Sequence, residues 1–83
     1  MVESSGGERT QMERKYLIII ERASDGKYGA YVPDLPGCAV VGYATPAQAR
    51  RSIARAIKMH LQGMVEDGEA IPKPTTRGEY VAA

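Results

Sequence analysis

Side chains that commonly perform acid–base or metal chemistry are few in this chain and far apart. It has one histidine, His60, and one cysteine, Cys38, in separate segments, whereas a catalytic zinc site needs several clustered protein ligands. The acids Glu21, Asp25 and Asp34 stand at predicted strand ends and turns, where acidic residues are common for structural reasons. No phosphate-binding glycine loop or dinucleotide-binding motif is present. The sequence therefore predicts that the protein is not an enzyme and holds no metal ion or cofactor.

A row of basic residues is the second feature with chemical meaning. Arg51, Arg55 and Lys58 recur at i, i+4 and i+7 of a predicted helix, so they share one face. Such a row is able to follow nucleic-acid phosphates. Solvated helix faces often have the same composition, however, and no aromatic residue is interleaved for base stacking. A solvated or partner-facing role is favoured, and contact with nucleic acid is the alternative.

A proline-rich segment, Pro33–Cys38 (PDLPGC), forms the most constrained connection in the chain. Each proline fixes φ and lacks a backbone donor, and Gly37 is free to take a positive φ. The segment is therefore expected to be stiff, with the apolar Leu35 at its tip. A loop of this kind serves either as a structural corner or as a contact surface.

The elements that must position these residues follow from the apolar pattern. A β-branched run, an Asp-Gly turn signal and two later apolar runs predict three strands, the first two joined as a hairpin. These strands are predicted at Tyr16–Ile20, Tyr28–Val32 and Ala39–Tyr43, with the turn at Asp25 and Gly26. The proline segment then joins the second strand to the third.

One long helix is predicted after the third strand. The sequence Thr45–Gln48 (TPAQ) combines a capping hydroxyl, proline at the first helical position and glutamine at the third. Apolar residues then recur every three or four positions toward Asp67, and Gly68 is placed to end the helix. His60 adjoins this apolar stripe and is interpreted as a structural residue. With a short edge strand predicted at Glu79–Ala82, the fold class is α+β, in the order β-β-β-α-β.

Length and composition limit the chain to one small domain. Its 83 residues carry a net charge of +1, which favours neither bulk attraction to nucleic acid nor mimicry of an acidic partner. Residues 1–13 are polar and aperiodic and are predicted to be a disordered tail, which leaves residues 14–83 as the domain. A single cysteine, no apolar run of membrane length and no signal-peptide pattern indicate a cytoplasmic protein.

The first predicted strand has apolar residues on both faces. Ile18 and Ile20 point one way, and Leu17 and Ile19 point the other. One helix covers only one face of a sheet, and burying an aliphatic side chain is worth about 1.5–3 kcal/mol. The second face is therefore expected to be covered by the C-terminal segment or by another chain. We favour a homodimer or tetramer whose interface includes Leu17, Ile19 and Tyr31.

Two motifs taken together resemble the HicB-type antitoxins. They are the loop Asp34–Cys38 (DLPGC) and the later segment Glu66–Pro74 (EDGEAIPKP), separated by the capped helix, and the resemblance covers nearly all of the predicted domain. It implies a reduced ribonuclease-H-like β-β-β-α-β fold without catalytic power. It also implies a partner, a small basic mRNA-cleaving toxin of the HicA type, whose catalytic histidine the antitoxin covers.

Under this resemblance Asp34, Leu35 and Pro36 are the candidate toxin contacts. Many members of the family also carry a C-terminal DNA-binding segment, which is not expected within these 83 residues. The leading hypothesis is a non-catalytic antitoxin-like protein that neutralises a HicA-type toxin by masking its active site. The alternative is a solitary HicB-like module that binds nucleic acid or only self-associates.

Overall fold

Three antiparallel strands and one helix form the described part of the chain. The computed structural model describes residues 14–83, so the tail predicted for residues 1–13 lies outside it. The strands β1 (Ile19–Arg22), β2 (Tyr28–Tyr31) and β3 (Ala39–Tyr43) lie in that order in one sheet, and the helix α1 (Pro46–Glu66) packs on one face of it. The predicted α+β class, with an antiparallel three-stranded sheet and one packed helix, is confirmed.

A tight turn joins β1 to β2, as predicted. Gly26 has a φ of +85°, a conformation that residues with a side chain rarely adopt. The Lys27 amide donates to Asp25 Oδ1 at 2.9 Å, which satisfies part of the turn locally. The turn fixes the hairpin register in which Ile19 lies opposite Tyr31.

A β-bulge interrupts the pairing of β2 with β3. Tyr28 lies opposite Tyr43 and Ala30 lies opposite Val40, so β3 has one residue more than β2 in the same interval. Gly29 stands at the point of close approach, because a Cβ there would lie 2.7 Å from the carbonyl oxygen of Val40. The bulge is therefore built around a position that admits no side chain.

Local hydrogen bonds define both ends of α1. Thr45 Oγ1 accepts from the Gln48 amide at 3.1 Å, and the Gln48 side chain accepts in return from the Ala44 amide at 3.0 Å. Pro46 occupies the first turn, where its missing N–H leaves no bond unmade. At the other end Gly68 has a φ of +73°, typical of a left-handed helix cap. The predicted start and end of the helix are confirmed.

The core lies between α1 and the sheet. Six apolar residues have almost no exposed surface: Ala30, Val32, Leu35, Cys38, Ala49 and Ile53. Two of them, Leu35 and Cys38, belong to the proline segment, so this connection between strands is also part of the core. Ser52 is buried as well, and its hydroxyl lies within hydrogen-bond distance of the Tyr43 hydroxyl, at 2.6 Å.

The first strand begins later than the apolar run predicts. The run starts at Tyr16, but β1 starts at Ile19. In the hairpin register Leu17 would face Pro33, which has no amide proton to donate to a neighbouring strand. The ladder therefore stops at the pair that Ile19 forms with β2, and residues 14–18 are not part of the sheet.

The edge strand expected at Glu79–Ala82 is not formed. The C-terminal segment, residues 67–83, contains no strand. Pro72 and Pro74 lack backbone donors, which disfavours pairing in this part of the chain. Side chains hold the segment to the domain instead, and one such contact is the hydrogen bond that the Tyr16 hydroxyl donates to Pro72 O. The sheet of residues 14–83 thus has three strands.

Leu35→Ala is expected to lower the free energy of unfolding by about 2–5 kcal/mol, because it removes most of a fully buried side chain. Urea unfolding followed by circular dichroism measures the change. Val81→Ala is the matched control, since Val81 is 85% exposed and such surface changes stay within about 0.5 kcal/mol. Equal effects of the two substitutions would contradict the buried position of Leu35.

Candidate functional site

Consecutive turns fold the proline segment back on itself. The Leu35 amide donates to Val32 O at 3.0 Å, and the Cys38 amide donates to Leu35 O at 3.0 Å. The Val32 amide donates to Cys38 O at 3.2 Å and so closes the base of the loop. Gly37 has a φ of +86°, which only a glycine adopts readily. The loop therefore returns the chain directly from the end of β2 to the start of β3.

These turns direct Leu35 inward. Its side chain has no exposed area and lies in the core with Ala49 and Ile53. The expected apolar tip is therefore not formed, and the expectation that Leu35 touches a partner is corrected, because the side chain is not accessible. Its neighbours lie at the surface, where Pro36 is exposed and Asp34 is half-buried.

The Asp34 carboxylate joins the proline segment to the C-terminal segment. Oδ2 accepts the backbone amides of Thr75 and Thr76, both at 3.0 Å, and Oδ1 accepts their hydroxyls at 3.2 and 2.7 Å. The Thr76 hydroxyl and amide, with smaller help from Thr75, hold the pKa of Asp34 below its ordinary value because they stabilise the charged form. Sequence reasoning missed this contact, since the partners are 41 and 42 positions apart.

An open groove lies beside the proline segment, on one flank of α1. It has a volume of about 530 Å³. The helix, the turn after it and the C-terminal segment form its walls, and the proline segment forms part of its rim. We call it the proline-loop groove, and its lining includes Pro36, Met59, His60, Met64, Asp67 and Glu69.

The proline-loop groove combines a flexible apolar surface with acidic groups. Met59 is 72% exposed and Met64 is half-buried, and methionine side chains adapt to partners of different shape. Asp67 and Glu69 are exposed, and no lysine or arginine of residues 14–83 lines the groove. The arrangement suits a basic amphipathic segment of another protein, whose apolar side enters the groove and whose cations meet the carboxylates.

The chain's histidine and cysteine do not share a site. His60 is half-buried in the wall of the proline-loop groove, and Cys38 is buried in the core, where burial raises the pKa of its thiol. In the part of the chain that the structure describes, no three histidine, cysteine, aspartate or glutamate side chains are grouped so as to hold a metal ion. The helix found in residues 14–83 is not long and apolar enough to cross a bilayer.

The sheet face away from α1 presents apolar side chains to solvent. Ile19 and Tyr31 lie opposite each other, and Tyr31 and the bulge residue Val41 are exposed. Leu17 is partly covered, because the C-terminal segment passes so near that a Cβ on Gly78 would lie 3.3 Å from Leu17 Cδ1. Of the predicted interface residues, Ile19 and Tyr31 thus share the open face, whereas Leu17 packs against the C-terminal segment.

The predicted basic row lies on the outer face of α1. Arg51, Arg55 and Lys58 are all exposed there, and none of them lines the proline-loop groove. The structure therefore separates the candidate nucleic-acid residues from Asp34 and Pro36.

The architecture places the protein in the class of small α+β domains in which one helix packs on a three-stranded antiparallel sheet. Residues 16–83, which include every strand, the helix and the C-terminal segment, match the family described as "HicB_like antitoxin of bacterial toxin-antitoxin system". The chain belongs to this HicB-like antitoxin family, and the resemblance carried by the proline loop and the segment after the helix is confirmed.

Relatives of the chain come from a phage and from cellular organisms. An uncharacterized 14.9 kDa protein of the rep-hol intergenic region of Haemophilus phage HP1 is 41% identical over 66 residues, covering 80% of this chain and 48% of the relative. A UPF0150 protein of Thermoplasma acidophilum is 37% identical over 59 residues, covering 71% of this chain and 84% of the relative. A UPF0150 protein of Synechocystis is 31% identical over 58 residues, covering 70% and 72%. The chain spans about half the length of the phage relative and more of the other two.

Protonation or removal of the Asp34 carboxylate is expected to release the C-terminal segment. Because folding lowers the pKa of Asp34, the stabilisation is complete above the unfolded value of about 3.9 and is lost as the pH falls through the lower folded value. Amide protection factors of Thr75 and Thr76, measured by NMR hydrogen exchange, are therefore expected to fall below about pH 4. In Asp34→Ala they are expected to be low at every pH.

The control for this experiment is Asp25→Ala, which removes a carboxylate that accepts from the Lys27 amide in the hairpin turn. It is expected to leave the protection of Thr75 and Thr76 unchanged. Full protection of both amides in Asp34→Ala would contradict the role given to the carboxylate.

Proposed function

We propose that the protein is an antitoxin-like binding protein that neutralises, in the cytoplasm, a small HicA-type mRNA-cleaving toxin by masking the toxin's active site. In this proposal the domain is a reduced ribonuclease-H-like module without catalytic power of its own. Membership of the HicB-like antitoxin family supports the proposal, because an antitoxin implies a toxin partner. The proline-loop groove is the surface proposed for that contact.

The observation that carries the proposal is the combination of apolar and acidic surface beside the proline loop. Met59 and Met64 offer adaptable contact area, and Asp67 and Glu69 offer charge opposite to that of a basic toxin. Helices ordinarily gain stability from basic residues in their last turn, and α1 has none there. The acidic groups at this end therefore do not favour the helix, which is consistent with a role toward a partner.

The proline segment has two roles in this proposal. Pro36 is exposed at the rim of the groove and is proposed to touch the toxin directly. The Asp34 carboxylate is occupied by Thr75 and Thr76, so its contribution is proposed to be indirect. It holds in place the C-terminal segment, which contributes Pro72 to the groove wall.

Reversing the acidic charge of the groove is expected to weaken toxin binding. Asp67→Lys/Glu69→Lys replaces attraction to a basic partner by repulsion, so the affinity is expected to fall about tenfold or more. Surface plasmon resonance measures binding to a purified HicA-type toxin inactivated at its catalytic histidine. Lysine near the end of a helix favours its dipole, so lost binding would not reflect a weakened helix.

Glu21→Lys/Glu79→Lys is the matched control, since it makes the same change in net charge at exposed positions outside the groove. It is expected to bind the toxin nearly as well as the wild type. Equal losses in the two double variants would indicate a general charge effect and would count against a contact in the proline-loop groove.

We also propose that the open sheet face joins two copies of the chain. The apolar residues Ile19, Tyr31 and Val41 lie on this face and carry no charge. Glu21 lies on the same face of the edge strand β1, so a two-fold pairing centred on Tyr31 and Val41 keeps the two carboxylates apart. Since α1 packs on the other face, a dimer built this way leaves the proline-loop groove accessible to a toxin, and a tetramer would need a second interface.

Tyr31→Glu/Val41→Glu is expected to convert the oligomer into a 9.0 kDa monomer, because association would bury carboxylates without partners. Sedimentation equilibrium at micromolar concentration measures the mass. Met59→Glu places an acid at an exposed apolar position on α1 and is expected to leave the oligomer intact. A wild-type chain that sediments as a monomer would disprove this interface.

A further inference from the structure

A second groove lies along another side of α1, between Arg50 and Leu61, and shares no lining residue with the proline-loop groove. Its volume is about 630 Å³. Tyr16, Ile57 and Leu61 contribute an apolar and aromatic floor. We call it the basic groove, because the charged residues that line it are all cations: Arg14, Lys15, Arg50 and Lys58.

The positive charge extends from the basic groove onto the outer face of α1. Arg51 and Arg55 are exposed there, and Lys58 lies between this face and the groove. No aspartate or glutamate of residues 14–83 lines the groove, and none of these cations belongs to an ion pair within the same residues. From Arg50 to Lys58 the helix rises about 12 Å, at about 1.5 Å per residue. The cations therefore form a track and not a single point of charge.

A track of cations beside an aromatic and apolar floor is the arrangement that binds single-stranded nucleic acid. The cations follow the phosphates, and the floor accepts the faces of unpaired bases. The aromatic residue that the helix itself lacks comes from Tyr16, in the segment before β1. The Tyr16 hydroxyl donates to Pro72 O, which restrains the ring in the groove.

We propose that the basic groove binds single-stranded nucleic acid through its phosphates and its base faces. Arg50 and Lys58 contact phosphates at the rim, and Arg51 and Arg55 add attraction from the outer face of α1. A duplex would contact the cations only through its phosphates, because its base faces are stacked inside the helix and are not available to Tyr16. An acidic peptide would need carboxylates at matching positions, whereas a polymer with one charge per unit meets the track in any register. This activity goes beyond toxin neutralisation and uses a surface that shares no residue with the proline-loop groove.

Fluorescence anisotropy of labelled single strands of about 16 nucleotides, the upper site size of small binding domains, tests the proposal on the full chain. Uridine-rich RNA and thymidine-rich DNA distinguish the two sources of the ligand, and binding of either supports the proposal. With about four phosphates neutralised, log Kd is expected to rise with log salt concentration with a slope of about 3.

Arg50→Glu/Lys58→Glu is expected to weaken binding about tenfold or more and to reduce the salt slope. Tyr16→Leu is expected to weaken binding about fivefold or more, through lost stacking, with the slope unchanged. Circular dichroism verifies that each variant is folded. The milder Arg50→Gln/Lys58→Gln removes the two cations without introducing carboxylates that repel the phosphates, and it is expected to weaken binding less.

Arg22→Glu/Lys27→Glu is the matched control, because it makes the same charge change at exposed positions of the hairpin, outside the groove. It is expected to keep nearly the wild-type affinity. An equal loss in the control, or no binding at about 100 µM protein in about 50 mM salt, would overturn the proposal. So would tighter binding of the matching duplex. Tighter binding of polyglutamate than of RNA, compared at equal charge and salt, would overturn it too and assign the groove to an acidic protein segment.

Discussion

The buried side chain of Leu35 holds the proline segment in the core, and the surface features of that segment depend on this contact. Two consecutive turns, closed by backbone hydrogen bonds to Val32 and Cys38, direct the side chain inward. With Leu35 inside, its neighbours lie at the surface. Asp34 meets the C-terminal segment, and Pro36 reaches the rim of the proline-loop groove. The loop is therefore part of the folding unit, because its Leu35 and Cys38 side chains lie in the core.

Side chains, and not strand pairing, organise the C-terminal segment. Asp34 accepts four hydrogen bonds from Thr75 and Thr76, and Tyr16 donates to Pro72 O. A chain of this length buries only a small apolar core. Hydrogen bonds between segments distant in sequence therefore hold the C-terminal segment in place where the core does not reach it. The same contacts shape both grooves, since Pro72 lies in the wall of one and Tyr16 in the floor of the other.

Features with local signals could be predicted from the sequence. The Thr45 cap, the glycine after the helix and the Asp-Gly turn depend on neighbours within four positions, and the structure confirms them. The burial of Leu35 could not be predicted from the sequence. The prolines and the aspartate beside it favour a surface position, and the turns that bury its side chain depend on the whole loop. The grooves escaped prediction for a related reason. Tyr16 and Lys58 belong to different segments and come together only when the helix packs beside the start of β1.

The charges on α1 and just beyond its end lie in two separate patches, which gives a nearly neutral chain two surfaces of opposite charge. The net charge is only +1, which by itself favours neither a basic toxin nor a nucleic acid. Asp67 and Glu69 lie after the C-terminal end of α1, beside the proline-loop groove, whereas Arg50 and Lys58 line the basic groove along another side of the helix. At physiological ionic strength the field of an exposed charge fades over about 8 Å. A partner at either groove therefore meets mainly the charges of that flank, and the local arrangement of charge, more than its sum over the chain, determines what each surface is suited to bind.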